Sequence, residues 1–182
     1  MAKIAVIGGG AAGMLAAGRA AQRGHEVHLF EKNNRLGKKI LITGKGRCNV
    51  TNDGDLDAFL DNIPGNPYFM YSAFYRFDNQ ALRQLLLDMG LETKVERGNR
   101  VFPVTDRSLD VVQALEKYMR QNKVALHLES QVEHVVMKEG KVTGIRLKNQ
   151  KELPFDAVIV TTGGLSYPNT GSTGDGYLSL IH

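Results

Sequence analysis

The chain has 182 residues, of which 42% are hydrophobic, and its formal net charge at pH 7 is +4. This length suits one domain or one and a half. No apolar stretch approaches the roughly 20 residues that a membrane-spanning helix needs. The single cysteine excludes an internal disulfide framework and favours a reducing, cytoplasmic location. The positive charges form no long block, so a solvated surface or a site for cofactor phosphates explains them at least as well as nucleic acid does.

The first 31 residues predict a βαβ unit that holds a dinucleotide. An apolar run, residues 3–7, leads into the glycine-rich turn 8–13 and into a helix that is predicted to run from about Ala12 to Arg23. A second strand, residues 26–30, follows and is terminated by the acid Glu31. Strand, glycine turn, helix, strand and acid occur here in the order that a dinucleotide-binding unit requires.

Each of the three spaced glycines and the acid of this unit has a physical role in the predicted site. Gly8 permits the tight turn, Gly10 lets a phosphate approach bare backbone, and Gly13 lets the helix lie close to the sheet. The N–H groups at the start of the helix point at the pyrophosphate. Glu31 can accept both hydroxyl hydrogens of an adenosine ribose and would repel a 2′-phosphate, so it argues against NADP at this site.

The middle of the chain predicts a loop and then helices. Residues 35–55 are predicted to be irregular and punctuated by glycines, and residues 56–122 to be mostly helical. Asp78 is a candidate N-cap for a helix that stops at Gly90, and Ser108 is a candidate N-cap for the next helix. An aromatic group before Asp78 has two interpretations, a satellite core or a wall over a flat ligand: Phe69, Tyr71, Phe74, Tyr75 and Phe77.

The last third of the chain predicts a β-meander and a return to a parallel sheet. Alternating residues from Val124 give three strands with a hairpin turn at Glu139-Gly140, and the apolar run 157–160 is typical of a strand buried on both faces. The fold class is therefore α/β: a Rossmann-like domain with a parallel sheet and a β-meander, formed by 1–54 and 123–182, plus a mostly helical insertion at 55–122. Ligands bind at the carboxyl ends of such strands, where the predicted site residues would gather.

Three motifs resemble the BaiN/YhiN-like family of FAD-dependent oxidoreductases, also called aminoacetone oxidase family flavoproteins. They are the glycine turn 8–13 with Glu31-Lys32, the segment 37–52 containing the string GKGRCNVTN, and the segment 162–177 that begins TGGLSYP. The second motif is the most distinctive, because so long a string seldom arises by chance. The first alone would indicate only the wider flavoprotein superfamily, which includes fumarate reductase and tRNA-modifying flavoproteins.

The resemblance implies bound FAD. Its pyrophosphate would rest on the glycine turn, its AMP ribose on Glu31, its adenine edge on the backbone of Val132, and its flavin half near Arg47, Cys48 and Asn49. The whole set of implied cofactor contacts is Gly8, Gly10, Ala11, Ala12, Gly13, Glu31, Lys32, Lys39, Thr43, Gly44, Arg47, Cys48, Asn49, Val132, Thr162, Gly163, Gly164 and Asp175.

Two departures from the family pattern accompany this resemblance. Thr161 stands where the superfamily's ATGG turn has alanine, which adds a hydroxyl near the cofactor. Family members also continue well beyond the third motif, so we expect this chain to be a truncated product whose Rossmann-like domain is incomplete at the C-terminus, with a helix starting near Leu178. Truncation leaves both FAD affinity and turnover of this chain open.

For the intact protein, the resemblance implies transfer of a hydride from NAD(P)H to FAD and then reduction of a small organic acceptor. No general acid is assigned, and the histidines are interpreted as ordinary packing or surface residues. No metal site is expected, because the histidines are scattered and there is no second cysteine. A non-catalytic FAD-binding fragment and an RNA-modifying flavoenzyme remain alternatives, and the oligomeric state is left open.

Several candidate residues keep two interpretations. Cys48 is either buried and inert or in contact with the cofactor. Arg47 is favoured as a ligand of phosphate or flavin carbonyls, and Asp175 either bonds a ribityl hydroxyl or caps the next helix. Lys38, Lys39 and Lys45 are either solvated charges or phosphate contacts.

Overall fold

The protein is described by a computed structural model that covers residues 1–178, and these residues form two compact units. The first unit comprises Met1–Ile40 together with the described residues from Leu115 onward, and the second comprises Leu41–Ala114. The second unit thus begins before residue 55 and ends before residue 122, the boundaries that the sequence indicates for the insertion.

The secondary structure alternates between short strands and helices. Within residues 1–178 the strands are β1 (Lys3–Ile7), β2 (Glu26–Phe30), β3 (Thr51–Asn52), β4 (Thr93–Glu96), β5 (Arg100–Pro103), β6 (Ala125–His127), β7 (Val132–Lys138), β8 (Lys141–Leu147), β9 (Glu152–Pro154) and β10 (Ala157–Val160). The α-helices are α1 (Ala11–Gln22), α2 (Lys38–Ile42), α3 (Leu56–Asp61), α4 (Tyr71–Arg76), α5 (Asn79–Asp88), α6 (Ser108–Gln121) and α7 (Asp175–Leu178). Short 3-10 helices span Thr43–Gly46, Pro67–Met70 and Pro168–Thr170.

A parallel sheet organises the first unit. Its strand order is β10-β1-β2-β6, and all neighbouring strands are parallel. Ile7 at the end of β1 is in register with Phe30 of β2 and Val160 of β10, so these three strands end at the same edge. The predicted α/β class and the βαβ unit are confirmed, and α1 begins and ends within one residue of its predicted bounds.

A three-stranded antiparallel meander, in the order β7-β8-β9, covers one face of this sheet. Its Ile145 packs into one cluster with Ala5, Ile7, Phe30 and Phe155. Burial of a side chain such as that of Phe30 contributes roughly 1.5–3 kcal/mol. The hairpin predicted at Glu139-Gly140 is present, and both residues adopt the positive φ that a tight turn requires.

Helix α1 packs against β1, β2 and β10. Because side chains alternate across a strand, Val6 lies on the opposite face of β1 from Ala5 and Ile7, and the buried Met14 and Ala17 mark the inward face of α1. The first unit therefore has a layered arrangement of meander, parallel sheet and helix.

The second unit combines helices with a small antiparallel sheet in the order β3-β5-β4. The predicted cap is confirmed, since Asp78 Oδ1 accepts a hydrogen bond of 2.7 Å from the Ala81 N–H at the start of α5. Ser108 is instead the first residue of α6, and its hydroxyl donates to the Leu41 carbonyl at 3.1 Å, so its prediction as an N-cap is wrong. Residues 35–55 are also more regular than predicted, because they contain α2, a 3-10 helix and β3.

The aromatic group before α5 is largely exposed. Phe69 and Tyr75 have 80% and 78% of their surface accessible, whereas Phe74 packs on Phe59 with ring centroids 5.3 Å apart. A satellite core is therefore wrong for most of the group. The alternative, a wall over a flat ligand, stays a prediction.

Among the helices of residues 1–178, none combines the length with the apolar character that crossing a bilayer would require. The helix that was predicted to start near Leu178 begins earlier, because α7 starts at Asp175. The expectations for the last residues, 179–182, lie outside the described part of the chain.

Candidate functional site

In the segment that joins β1 to α1, Gly8 and Gly13 could not carry a side chain without a clash. Gly8 has a φ of +106° and donates its N–H to the Phe30 carbonyl at 2.8 Å. A Cβ on Gly8 would lie 2.6 Å from the Thr161 carbonyl oxygen, and a Cβ on Gly13 would overlap the Gly8 carbonyl oxygen. The roles predicted for Gly8 and Gly13, a tight turn and close helix packing, agree with this geometry.

Gly10 is different, because the space beside it is open. It is the N-cap of α1, with φ −81° and ψ −171°, and a Cβ on it would meet no heavy atom within 4 Å. No side chain caps the helix, the first turn carries no acid, and Ala11 and Ala12 are exposed. The first N–H groups of a helix have no partner within it and carry its positive dipole end. This bare helix start can therefore accept an anion such as a pyrophosphate.

Glu31 points its carboxylate at the same turn. The residue is 7% exposed, and its Oε2 accepts a hydrogen bond of 2.7 Å from the Gly9 N–H. Its Oε1 accepts bonds from Asn33, at 2.8 Å from the backbone N–H and at 2.5 Å from the side-chain amide. The acid is thus fixed beside the glycine turn, where it was predicted to lie. Sequence reasoning missed Gly9 and Asn33, whose roles no motif signals.

The third motif returns to this edge of the sheet. The Thr161 hydroxyl donates to the Ile7 carbonyl at 2.8 Å and to the Gly8 carbonyl at 3.0 Å, so it ties β10 to the glycine turn. Gly163 has a φ of +75°, and a Cβ there would lie 2.9 Å from Ser172 Oγ. The hydroxyl predicted to face the cofactor is therefore engaged by the backbone of β1 and the turn that follows it.

Two lysines connect the third motif to the segment after Glu31. Lys32 donates to Asp175 and to Thr173, both at 2.7 Å. Lys39 donates to the Ser166 carbonyl and to the Ser172 hydroxyl, again at 2.7 Å each. Ser166, Ser172 and Thr173 are the partners that sequence reasoning missed, because these contacts join residues more than a hundred positions apart.

Asp175 is the first residue of α7 and the acceptor of this linkage. Partial burial raises the pKa of its carboxyl, but the hydrogen bonds from Lys32 and Thr173 and the Lys32 charge outweigh that effect, so the pKa lies below its ordinary value. The carboxylate is therefore ionised at neutral pH and held by a cation.

Val132 is the first residue of β7, and its side chain is buried in the core between the meander and the parallel sheet. Nearby, the Ser130 N–H donates to the Glu31 carbonyl at 2.9 Å, and the Glu129 N–H donates to the Asn33 carbonyl at 3.0 Å. These bonds join the start of the meander to the segment that carries the acid. The contact predicted between Val132 and an adenine stays a prediction.

The remaining candidate residues lie in the second unit, in the loop 43–49. Arg47 forms ion pairs with Glu96 and Asp106, both at 2.5 Å, and its guanidinium lies 4.2 Å from the Phe102 ring centroid. Hydrogen bonds to Glu96 and then to Asp106 raise its pKa. The guanidinium thus has acidic partners inside its own unit, and its predicted contact with phosphate or flavin stays a prediction.

Cys48 and its neighbours hold the shape of this loop. Cys48 is buried, has a φ of 63°, and donates its N–H to the Thr43 carbonyl at 3.0 Å. Burial raises the pKa of its thiol, with a smaller opposing effect from a hydrogen bond to Thr43. Gly44 also has a positive φ, and the Asn49 amide can donate to the Val101 and Thr51 carbonyls. A buried, protonated thiol agrees with the inert interpretation of Cys48.

Comparison with known proteins adds to this geometry. A family model described as the HI0933-like protein Rossmann domain matches residues 2–181. The 3-dehydro-bile acid delta(4,6)-reductase of Clostridium scindens is 35% identical over 179 residues, which cover 97% of this chain and 42% of that protein. The ribosomal RNA dihydrouridine synthase of Escherichia coli is 33% identical over 174 residues, which cover 94% of this chain and 42% of that protein.

A solved structure has the same fold. The 3-ketosteroid-delta4-(5alpha)-dehydrogenase from Rhodococcus jostii RHA1, in complex with 4-androstene-3,17-dione, superimposes with a TM-score of 0.67 at 17% identity. The match covers 91% of this chain and 46% of that chain. The chain therefore spans less than half the length of each of these three proteins.

Proposed function

The chain belongs to the HI0933-like protein Rossmann domain family, and from this premise we propose that it binds FAD at the turn between β1 and α1. The membership confirms the resemblance that the three sequence motifs indicate. One observation carries the proposal: the uncapped start of α1 at Gly10 faces open space beside the oriented carboxylate of Glu31. An anion site next to a fixed acid is what a pyrophosphate joined to a ribose requires.

The residues of the first unit fit this cofactor in type. The N–H groups of Ala11, Ala12 and Gly13 would hold the pyrophosphate, and Glu31 would accept the ribose hydroxyl hydrogens while its Oε2 keeps the Gly9 N–H. The backbone of Val132 would meet the adenine edge. When bound, FAD supplies hydride exchange at its flavin ring, and the protein supplies position and electrostatics.

The segment 162–175 would line the other end of the cofactor. Gly163 and Gly164 leave the backbone bare there, while Lys39 holds Ser166 and Ser172 in place. Lys32 orients Asp175, which would offer an ionised acceptor to a ribityl hydroxyl. Thr43, Gly44, Arg47, Cys48 and Asn49 are proposed contacts on the flavin half by family resemblance.

For the reaction of the whole protein we propose hydride transfer between NAD(P)H, the flavin and a small organic acceptor. The names of two similar proteins support a small-molecule substrate, since one is a bile acid reductase and the other a ketosteroid dehydrogenase. No residue of this chain is assigned as the proton donor to that acceptor.

A second candidate function is modification of RNA by the same flavin. The similarity to a ribosomal RNA dihydrouridine synthase favours it, at nearly the same identity as the bile acid reductase. The two functions differ in salt dependence, because RNA binding releases counterions and weakens steeply as salt rises. A filter-binding titration with ribosomal RNA at two salt concentrations separates them.

The test of the main proposal is an absorption spectrum of the purified chain after incubation with FAD and removal of free cofactor. Retained flavin bands support the proposed site, and a colourless chain contradicts it. Anaerobic addition of NADH or NADPH then addresses turnover, since bleaching of the bands identifies the electron donor. Bands that persist with both donors favour a non-catalytic FAD-binding protein.

A further inference from the structure

A cavity of about 310 Å³ lies in the first unit, between the faces of β2 and β6 and the connection from β8 to β9. The lining includes Lys3, His28, Phe30, His127, Lys151 and Phe155. None of the residues predicted to contact the dinucleotide lines it. Ligand cavities in proteins span roughly 300–1,000 Å³, so this one suits a molecule of one or two rings.

Flat rings form the floor of this cavity. Phe30 and His127 stack with centroids 4.6 Å apart and planes 9° apart, and the rings of His127 and His28 lie edge to edge, with centroids 5.2 Å apart and planes 7° apart. The edge of Phe155 faces both His28 and Phe30, at 5.3 Å and 5.8 Å. The two imidazoles therefore present one flat surface, which Phe30 supports from one side and which Phe155 meets with its edge, and such a surface favours a planar ligand through stacking.

A chain of hydrogen bonds fixes the imidazoles. Glu26 Oε1 lies 2.9 Å from His28 Nε2, and His28 Nδ1 lies 3.0 Å from His127 Nε2. The pKa of Glu26 is lowered by its hydrogen bonds from His28 and Lys3, so its carboxylate accepts. Burial lowers the pKa of His127, and the charges on His28 and Lys151 lower it further. With neutral rings the chain runs from His127 through His28 to Glu26, which leaves Nδ1 of His127 as an acceptor.

The rim is cationic. Lys3 pairs with Glu26 at 3.1 Å and lies 5.5 Å above the Phe155 ring. The ammonium of Lys151 is exposed and has no hydrogen-bond or ion-pair partner within residues 1–178. A bound anion would supply that partner.

We propose that this cavity is a binding site for a flat aromatic anion, separate from the dinucleotide site. The ring of the ligand stacks on the imidazoles of His28 and His127, and its anionic group meets Lys151. A hydroxyl outside the plane of the ligand ring, such as a ribose hydroxyl, donates to Nδ1 of His127 where the ligand has one. An aromatic carboxylate and a nucleobase that carries a phosphate both have this chemistry.

The experiment titrates the FAD-saturated chain with 2-naphthoate and, separately, with UMP, and follows binding by calorimetry and the imidazole ¹⁵N shifts of His28 and His127. Saturating FAD keeps the dinucleotide site filled, so a response at the histidines reports this cavity alone. If the chain retains no FAD, the same titrations are run without it. Failure of the proposed function therefore leaves this test intact.

Three variants assign the contacts. Lys151→Glu is expected to weaken both probes by about three- to tenfold, because a cation at a partly exposed site is replaced by an anion. Lys138→Glu makes the same change at the other hairpin and is expected to leave both affinities unchanged. His127→Phe keeps the stacking surface but removes the acceptor, so UMP should weaken while 2-naphthoate should not.

Each outcome has a meaning for the proposal. Histidine shifts that need a higher concentration of either probe in Lys151→Glu, and the same concentration in Lys138→Glu, support it, and the tighter probe identifies the source of the ligand. Absence of binding by both probes at millimolar concentration overturns it. Equal weakening by both lysine variants also overturns it, since attraction to net charge would then explain the binding.

Discussion

Replacing Gly10 by alanine should separate cofactor binding from stability. Gly10 begins α1 with backbone angles that any L-residue adopts, and a Cβ there would meet no protein atom within 4 Å. The added methyl group would therefore fill only the space where we place the pyrophosphate. The expected result is a chain that folds as before and loses FAD.

The effect on stability is worked from two opposing contributions. Alanine is a poorer N-cap than glycine, at a cost of about 0.5–1 kcal/mol. The same substitution lowers the entropy of the unfolded chain, which stabilises the fold by roughly 0.4–1 kcal/mol where the backbone angles are compatible. The two contributions nearly cancel, so the melting temperature of the apo chain should change by no more than about 2 °C.

The effect on binding is larger, because a methyl group keeps a phosphate oxygen from reaching the backbone N–H groups. Loss of one hydrogen bond to a charged group costs about 1.5–3 kcal/mol. That free energy corresponds to a dissociation constant for FAD that is about 10- to 150-fold higher. Quenching of flavin fluorescence during a titration of apo chain measures this constant directly.

Gly13→Ala is the matched control, with the same methyl group three positions later. Its Cβ would overlap the Gly8 carbonyl oxygen and lie 2.8 Å from Thr161 Oγ1. Overpacking of this kind typically costs 1–3 kcal/mol, so the apo chain should melt about 2–12 °C lower. Unchanged FAD affinity in Gly10→Ala would refute the placement of the pyrophosphate, and an unchanged melting temperature in Gly13→Ala would refute the close approach of helix and turn.

Three further predictions concern the contacts around this turn and in the second unit. Lys39→Met should increase amide hydrogen exchange in residues 163–174, because it removes the bonds to both serines, whereas Lys38→Met, which loses one bond to a nearby side chain, should not. Thr161→Val should lower the free energy of unfolding by about 0.5–1.5 kcal/mol in chemical denaturation, because the hydrogen bonds from the hydroxyl to β1 and the glycine turn are lost. An equal free energy of unfolding for the variant and the unmodified chain would contradict a stabilising role of these bonds. Arg47→Met should flatten the acid limb of a pH–stability curve. The arginine lowers the folded-state pKa of Glu96, and Lys94 together with the arginine lowers that of Asp106. The stabilisation that the arginine provides is therefore present above the ordinary pKa values of 4.5 and 3.8 and is lost as the pH falls through the lowered values; identical pH–stability curves for the two chains would argue against it.

The parts that could be predicted from the sequence are those governed by local rules. The βαβ unit follows from an apolar strand, glycines at fixed spacing and an acid at the end of the second strand. The cap at Asp78 and the hairpin at Glu139-Gly140 follow equally from residues that are neighbours in the chain. In each case one short segment contains both the signal and the structure that it specifies.

The parts that could not be predicted depend on contacts between distant segments. Ser108 has the residue type of an N-cap, yet its hydroxyl bonds to Leu41, 67 positions earlier. The hydrogen bond between the imidazoles of His28 and His127 joins residues that are 99 positions apart, and no spacing rule connects them. The exposed aromatic residues of the second unit have the composition of a core without its burial.

The lysines that follow Glu31 are bound to the protein itself, so the backbone of the glycine turn is the main group left to hold a pyrophosphate. Lys32, Lys38 and Lys39 follow the acid and carry the positive charge that attracts a phosphate, but all three ammonium groups already donate hydrogen bonds to protein oxygens. In the same stretch of the described chain, Arg35 is exposed and has no such partner. A bound pyrophosphate would therefore be held first by the N–H groups at the start of α1, and the lysines would position the surrounding segments. On this reasoning one methyl group at Gly10 should weaken FAD binding more than removal of the Lys38 charge.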